Sequence, residues 1–216
     1  MPSFTCQSCG RDFVVPESTL AKYPGWQPRR CLTCKSQARP APVRASAGRR
    51  PSSASREENL CVADVLAKYS AGPNDGVFTD GAAEPNPGPG GWGVVYVVGG
   101  KIVGERYGHD VHTTNNRMEL RALIEGCSLV PEGTRAVIYT DSQLCVNTIT
   151  QWAKGWEARG WKRKGGEIKN IDLVKELYAL FARRSELELR WIQAHSGFLW
   201  NEYADSLATA YRRSKL

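Results

Sequence analysis

Four acidic residues sit where an acid side chain needs a reason to be. Asp80 ends the run Val77-Phe78-Thr79-Asp80, and Asp141 ends Val137-Ile138-Tyr139-Thr140-Asp141. Both runs are apolar, β-branched or aromatic and read as strands. Glu119, in Asn115-Asn116-Arg117-Met118-Glu119-Leu120, and Asp205, in Asn201-Glu202-Tyr203-Ala204-Asp205, fall in the first turn or so of segments with helical spacing. Taken singly, a strand-end Asp serves equally well as a turn or cap residue. Taken together, the four can converge, because the C-terminal ends of strands are where an α/β sheet opens into its ligand crevice. Converging carboxylates repel one another, and an apolar scaffold gathers them only if cations neutralise the cluster. Hard divalent ions with oxygen ligands, Mg²⁺ above all, match that donor set.

A second constellation lies near the N-terminus. Cys6-Gln7-Ser8-Cys9 and Cys31-Leu32-Thr33-Cys34 are two CxxC knuckles separated by twenty-one residues. Each turn can present two thiolates, and two turns complete a closed tetrahedral Zn²⁺ site of zinc-ribbon type. Redox dithiols are the alternative. The remaining cysteines, Cys61, Cys127 and Cys145, are expected to be core thiols. Seven cysteines, an odd number, suit a reducing compartment, and the cytoplasm is the simplest expectation.

Elements that must position the acids follow in a consistent order. A short helix over 60–70 leads into a first strand, Val77–Ala82. Gly91–Val98 and Lys101–Gly108 form a hairpin turned at Gly99-Gly100. A helix from Asn115 buries Leu120, Leu123, Ile124 and Cys127. Strand Arg135–Thr140, a helix from Ser142 to Ala153, a helix Asn170–Arg184, strand Leu187–Ala194 and a closing helix Asn201–Arg213 complete the pattern. Hairpin-linked strands followed by strands alternating with helices imply a mixed five-stranded α/β sheet flanked by helices. The run Gly88–Gly93 reads as a tight turn between strands.

At these residues the chain resembles type I ribonuclease H of the bacterial type. The resemblance runs from about Val77 to Arg213. It rests on Phe78-Thr79-Asp80-Gly81, Asn86-Pro87-Gly88-Pro89-Gly90-Gly91-Trp92-Gly93, Thr113-Thr114-Asn115-Asn116-Arg117-Met118-Glu119-Leu120, Thr140-Asp141-Ser142-Gln143, and His195-Ser196-Gly197 followed by Asn201-Glu202-Tyr203-Ala204-Asp205. It implies a ribonuclease H-like fold, and hydrolysis of the RNA strand of RNA–DNA hybrids with two Mg²⁺ ions, Mn²⁺ as an alternative, giving 5′-phosphate and 3′-hydroxyl ends. On this likeness Asp80 bridges both ions, Glu119 and Asp141 hold one or the other, and Asp205 completes the second site. His195 is implied to move a proton or help product leave, a role suited to imidazole. Asn86, Asn115 and Gln143, with the backbone of Ala83, are implied to read 2′-hydroxyls, which only the RNA strand offers. Thr114 and Asn170 match positions that hold a DNA-strand phosphate, although His112 replaces the basic partner often found there. Two other readings stay open: a non-catalytic hybrid-binding module, and a different nuclease on the same fold.

Charge is unevenly placed. Residues 1–60 carry ten Lys and Arg against four Asp and Glu, and residues 61–216 carry nineteen against eighteen. Within 152–169, Trp152, Trp156 and Trp161 interleave with Lys154, Arg159, Lys162, Arg163, Lys164 and Lys169, resembling the basic handle of bacterial ribonucleases H. Such a stretch can grip a duplex backbone, with Trp152, Trp156, Lys162, Arg163 and Lys164 as the contacts; a packed Trp cluster with solvated lysines is the plainer account. Expected domains are a zinc-ribbon module over 1–37, a disordered basic Pro/Ala/Ser/Arg linker over 38–59, and a ribonuclease H domain over 60–216 with its core at 76–213. Arg11, Arg29, Arg30, Lys35 and Arg39 suit the ribbon to nucleic acid, and a protein partner is the alternative. No membrane span is expected, and the protein should be a monomer.

Overall fold

This computed structural model describes residues 2–7, 9–22, 27–29, 31–32 and 59–213, in two units, Met1–Arg56 and Glu57–Leu216. In the first unit, strands β1 (Ser3–Thr5) and β2 (Asp12–Val14) pair antiparallel with Phe4 opposite Phe13, whose ring centroids lie 6.1 Å apart. A short helix, α1 (Glu17–Lys22), follows. Cys34, Arg30, Lys35, Arg39 and all of the expected linker except Asn59 lie outside the described residues.

The second unit opens with α2 (Val62–Lys68) and then builds a sheet from β3 (Gly76–Ala83), β4 (Gly88–Val98), β5 (Lys101–Thr113), β6 (Ala136–Thr140) and β7 (Leu187–Trp191). Its spatial order is β5-β4-β3-β6-β7. The pairs β5–β4 and β4–β3 are antiparallel, while β3–β6 and β6–β7 are parallel. This is the mixed five-stranded sheet that the order of elements implies. Helices α3 (Asn115–Leu129), α4 (Gln143–Asn147), α5 (Ala153–Glu157), α6 (Ile171–Arg183) and α7 (Leu199–Ala208) complete the unit.

Strand alternation sorts the core into two layers. Val77 and Val94 face Leu120, Leu123, Ile124, Val174 and Leu177 on one side of the sheet. Phe78 and Val95 face Val65, Trp200, Tyr203 and Leu207 on the other. The central strand β3 is therefore buried on both faces, which explains its unbroken apolar start. α3 is capped by Thr114, whose side chain accepts the Arg117 amide at 3.4 Å. Arg117 in turn donates two bonds to Asp172, at 3.2 and 2.9 Å, fastening α6 to α3.

Several expected boundaries move for identifiable reasons. β5 continues to Thr113 because β4 begins at Gly88 and pairs with it. β7 stops at Trp191, not Ala194, because its partner β6 ends at Thr140, whose carbonyl takes a last bond from the Ile192 amide at 2.9 Å. The single helix expected over 142–153 is interrupted by a π turn at Thr148–Trp152, where Thr150 Oγ1 donates back to the Val146 carbonyl at 2.8 Å. The closing helix ends at Ala208, where Thr209 Oγ1 donates to the Asp205 carbonyl, and a 3₁₀ turn, Ala210–Arg212, follows. Cys127 and Cys145 are buried as expected. Cys61 is not: it sits half-buried at the N-cap of α2, with its amide donating to Asp64 Oδ2 at 3.2 Å.

The glycine run also corrects its sequence reading. Gly88–Gly93 lies within β4, and two of its members make room for α7. A Cβ on Gly91 would stand 2.4 Å from the Ala208 carbonyl oxygen, and one on Gly93 2.4 Å from that of Ala204. These glycines are there because backbone meets backbone.

Candidate active site

Register places the first two acids. Thr79 pairs with Thr140 across the parallel strands β3 and β6, so Asp80 and Asp141 leave neighbouring strands side by side. Thr79 Oγ1 donates to the Tyr139 carbonyl at 2.9 Å and fixes that alignment. Glu119 arrives from α3, which rests directly on β3 at Gly81. A Cβ at Gly81 would stand 2.2 Å from the Glu119 amide nitrogen. Asp205 arrives on α7, the helix that Gly91 and Gly93 admit to the sheet.

Asp80, Glu119 and Asp141 each offer an oxygen, and these atoms lie within 4.8 Å of one another. His195, Glu202 and Asp205 form a second group of the same tightness. All four predicted acids and His195 line one open cleft of about 470 Å³, together with Ala83, Asn86, Asn115, Ser142 and Arg212. The scattered sequence positions thus meet in space.

Electrostatics at the cleft are those of a site built for cations. Burial, then the facing charges of Glu119, Asp141 and Asp205, hold the Asp80 carboxyl well above its ordinary range. Burial, then Asp141 and Asp205, raise Glu119 in the same way. Burial also raises Asp141, opposed by a hydrogen bond with the Asn201 side chain and by His195. Glu119 Oε2 is buried with no hydrogen-bond partner. A buried carboxylate oxygen left without a donor, aimed among other acids, is an unmet demand for positive charge. The donor set is all oxygen apart from one imidazole, so a hard divalent ion fits it.

The amides implied by the family resemblance also gather here. The Ala83 amide donates to Asn115 Oδ1 at 2.6 Å, and the Asn115 amide donates to Asn86 Oδ1 at 3.3 Å. These bonds tie the β3–β4 turn to the start of α3 at the cleft edge. Gln143 is exposed at the start of α4, where its amide donates to Asn147 at 3.1 Å, and is not among the cleft-lining residues. Thr114 serves as the α3 cap and likewise lies off the cleft.

Handle residues meet elsewhere. Trp152, Trp156, Arg163 and Asn170 line a separate hollow of about 140 Å³ between α3, α4 and α6. The Trp152 and Trp156 ring centroids are 6.0 Å apart, and Trp161 packs edge-on against Tyr178 at 5.9 Å. Lys162, Arg163 and Lys164 are exposed. Packed indoles and solvated cations therefore coexist. Asn170 stands at the start of α6 with φ +54°, and its side chain makes no capping bond. His109 and His112 are exposed.

Four residues at the cleft or supporting its lining had no role in the sequence reading. Asn201 is buried and bonded to Asp141. Its spacing of four from Asp205 on one helix could have flagged it. Glu202 is buried, and its Oε1 accepts the Gly197 amide at 3.2 Å, bracing the loop in which His195 adopts φ +47°. The Trp191 indole donates to the Asp141 carbonyl at 2.9 Å. Arg212 lies at the cleft rim. Neither Trp191 nor Arg212 carries a spacing signal.

In the first unit, Cys6, Cys9 and Cys31 bring their sulfurs within 4.8 Å of one another. The Cys31 amide points to Cys6 Sγ at 3.3 Å, and Cys9 and Cys31 sulfurs lie 3.8 Å apart.

Comparison with known proteins agrees with this geometry. The family profile described as RNase H matches residues 74–213. A ribonuclease H of Methylorubrum extorquens (strain PA1) is 47% identical over 141 residues, which span 65% of this chain and 60% of that protein. One from Caulobacter sp. (strain K31) is 46% identical over 133 residues, spanning 61% of this chain and 85% of its own length. Among solved structures, LC9-RNase H1, described as a type 1 RNase H with the type 2 active-site motif, superposes with a TM-score of 0.54 at 37% identity, covering 65% of this chain and 74% of that one. A foamy viral protease-reverse transcriptase in complex with dsDNA shares the fold, with a TM-score of 0.56 at 20% identity over 63% of this chain and 92% of its own. With the profile spanning well over half of its residues and the acids meeting at one cleft, the chain belongs to the ribonuclease H family of enzymes.

Proposed function

We propose that this protein hydrolyses the RNA strand of RNA–DNA hybrids, leaving 5′-phosphate and 3′-hydroxyl ends. The observation that carries the reading is the meeting of Asp80, Glu119, Asp141 and Asp205 at one cleft, next to the amide cluster of Ala83, Asn86 and Asn115. The four carboxylates would hold two Mg²⁺ ions, with Mn²⁺ as the alternative. When bound, such ions activate a water and stabilise the leaving oxygen of an in-line phosphoryl displacement. Asp80, the most buried and most crowded of the four, is the natural shared ligand.

The remaining roles belong to the chain itself. Asn201 orients Asp141 through its amide, and the Trp191 indole fixes the backbone beneath it. His195, exposed at the cleft on a loop braced by Glu202, would carry a proton to or from the departing strand. Asn86, Asn115 and the Ala83 backbone present both donors and acceptors to 2′-hydroxyls, and Gln143 would join them from α4. Trp152, Trp156, Lys162, Arg163, Lys164, Thr114 and Asn170 would hold the DNA strand and its phosphates.

The reading extends to the N-terminal module, as a zinc ribbon over residues 1–37 joined by a basic linker over 38–59 to a ribonuclease H domain over 60–216. Cys6, Cys9 and Cys31, with Cys34 as the fourth ligand, would hold one structural Zn²⁺; the amide-to-sulfur bond from Cys31 to Cys6 favours thiolate at that knuckle. Its proposed task is to add affinity for nucleic acid, with protein docking as the other outcome. A monomer in the reducing cytoplasm completes the reading. No described helix is long and apolar enough to cross a membrane.

Matched RNA–DNA, RNA–RNA and DNA–DNA duplexes incubated with purified protein and Mg²⁺ test the proposal. Cleavage confined to the RNA of the hybrid is expected. Equal cleavage of all three removes the specificity claim, and cleavage of none leaves a hybrid-binding module. Mass spectrometry of the native protein should find one zinc per chain, lost in Cys6→Ser.

A further inference from the structure

Arg212 is the one Arg or Lys among the described residues that line the acidic cleft. Its side chain is largely covered, and the contacts that hold it include the following. Nη1 stands 2.9 Å from Glu84 Oε2, and Nε donates to Tyr211 Oη at 2.9 Å. The guanidinium carbon lies 5.3 Å from the Tyr211 ring centroid. Tyr211 is itself seated: its hydroxyl accepts the Glu84 amide at 3.2 Å, and its ring rests where Gly91 leaves β4 without a side chain. The 3₁₀ turn at Ala210–Arg212 is thereby latched to Glu84, at the mouth of the β3–β4 turn that carries Asn86.

We infer that Arg212 is a substrate-positioning residue that grips a phosphate of the RNA strand, on the Asn86 side of the phosphate under attack. This rests on the hybrid-cleaving reading above and deepens it. A cleft lined by five carboxyl groups, Asp80, Glu84, Glu119, Asp141 and Asp205, repels a polyanion except where bound cations or a fixed positive side chain offset them. Guanidinium suits the task because its planar fork of donors matches phosphate oxygens, and holding it in place beforehand lowers the ordering cost of binding. Glu84 holds the guanidinium in the free protein, yet its own side chain is 71% exposed, so the pair is well screened. A strand phosphate can therefore take over that partner at little cost. A strand whose 2′-hydroxyls lie on Asn86 and Asn115 must pass over this rim, because all three residues border the same cleft.

The test uses the full-length protein with Arg212→Ala and Arg212→Lys. Michaelis constants for a hybrid are measured across a salt series, alongside thermal midpoints. Arg212→Ala should raise KM about tenfold, as loss of one charge-assisted contact does, with kcat changed by less than about twofold. It should also flatten the dependence of log KM on log salt by about 0.9, the share of one phosphate. Arg212→Lys should keep the salt slope and lose only part of the affinity. If both variants lower the thermal midpoint and leave KM and slope alone, Arg212 is only a latch and the inference fails. The same substitutions in an Asp80→Asn background, read by hybrid binding, separate the two readings. Loss of affinity and slope there, with no cleavage by wild type, would sink the catalytic reading and keep the phosphate contact. Affinity and slope unchanged there, with wild type cleaving hybrids, would sink the contact alone.

Discussion

Asp80 is held where a charge is hardest to keep, buried and faced by three other acids. Asp80→Asn removes one charge from the proposed shared metal ligand, and metal-assisted charge stabilisation is a matter of several kcal/mol. A fall in turnover of about three orders of magnitude, with the fold retained, is the expected result; wild-type turnover would sink the assignment. The same crowding has a signed effect on stability. The folded-state values of Asp80 and Glu119 lie above their ordinary values of 3.8 and 4.5, so over that window the folded chain binds more protons than the unfolded one. The contribution of these two groups to stability should therefore be most favourable near or below the ordinary values and should fall as pH rises through the folded ones. In chelator, the wild-type thermal midpoint should drop between pH 5 and pH 8 more steeply than that of Asp80→Asn. Saturating Mg²⁺ should shrink the difference, since it binds only the folded cluster. Parallel pH profiles with and without metal would count against a carboxylate cluster of this kind.

At the scale of elements, the site depends on how closely α3 and α7 approach the sheet. Gly81→Ala would drive a methyl into the Met118–Glu119 backbone, which a helix can relieve only by moving away. A loss of about 1–3 kcal/mol in stability is expected, together with a fall in activity, because Glu119 moves with the helix. Chemical denaturation with parallel rate measurements checks it; an unchanged variant would mean the approach has slack. Much of this architecture was legible. β-branched runs ending in acid located β3 and β6, and the apolar stripe Leu120, Leu123, Ile124, Cys127 located α3. What was not legible depended on pairing. Gly91 and Gly93 look like turn residues until α7 is seen against them. The π turn at Thr148–Trp152 coincides with a bond from Thr150 Oγ1 back to the Val146 carbonyl, which no spacing pattern announces. β7 stops where its partner stops, which no local pattern records. At the site, Asn201 shares a helix face with Asp205 and was visible in principle. Trp191 and Arg212 gain their places only through partners distant in sequence, the carbonyl of Asp141 and the carboxylate of Glu84.

Across the whole molecule, charge is divided by task. The first 60 residues carry an excess of six positive charges, while residues 61–216 carry an excess of only one. Of the latter, the handle segment 152–169 holds six positives against two negatives, so the remainder of the catalytic unit is net acidic. An acidic body that must hold a polyanion gains most from cations placed outside its cleft, and on the proposed reading the N-terminal third would supply them. Residues 1–56 form a unit of their own, and the segment just after them is fastened to the catalytic unit, with Leu60 accepting Ser206 Oγ at 2.8 Å and Asn59 accepting Arg213. Deleting residues 1–56 should therefore leave the thermal midpoint of the catalytic unit within about 2 °C, because the two sheet cores lose no described side chain. Hybrid affinity should fall, and log affinity should depend less steeply on log salt, by about 0.9 for each phosphate the missing cations had neutralised. Turnover at saturating hybrid should persist, since every proposed metal-binding carboxylate remains. Fluorescence anisotropy with a labelled hybrid, repeated over a salt series for both forms, measures the slope directly. Equal slopes would mean that the basic third does not touch the nucleic acid, and the cysteine module would then be assigned to a protein partner.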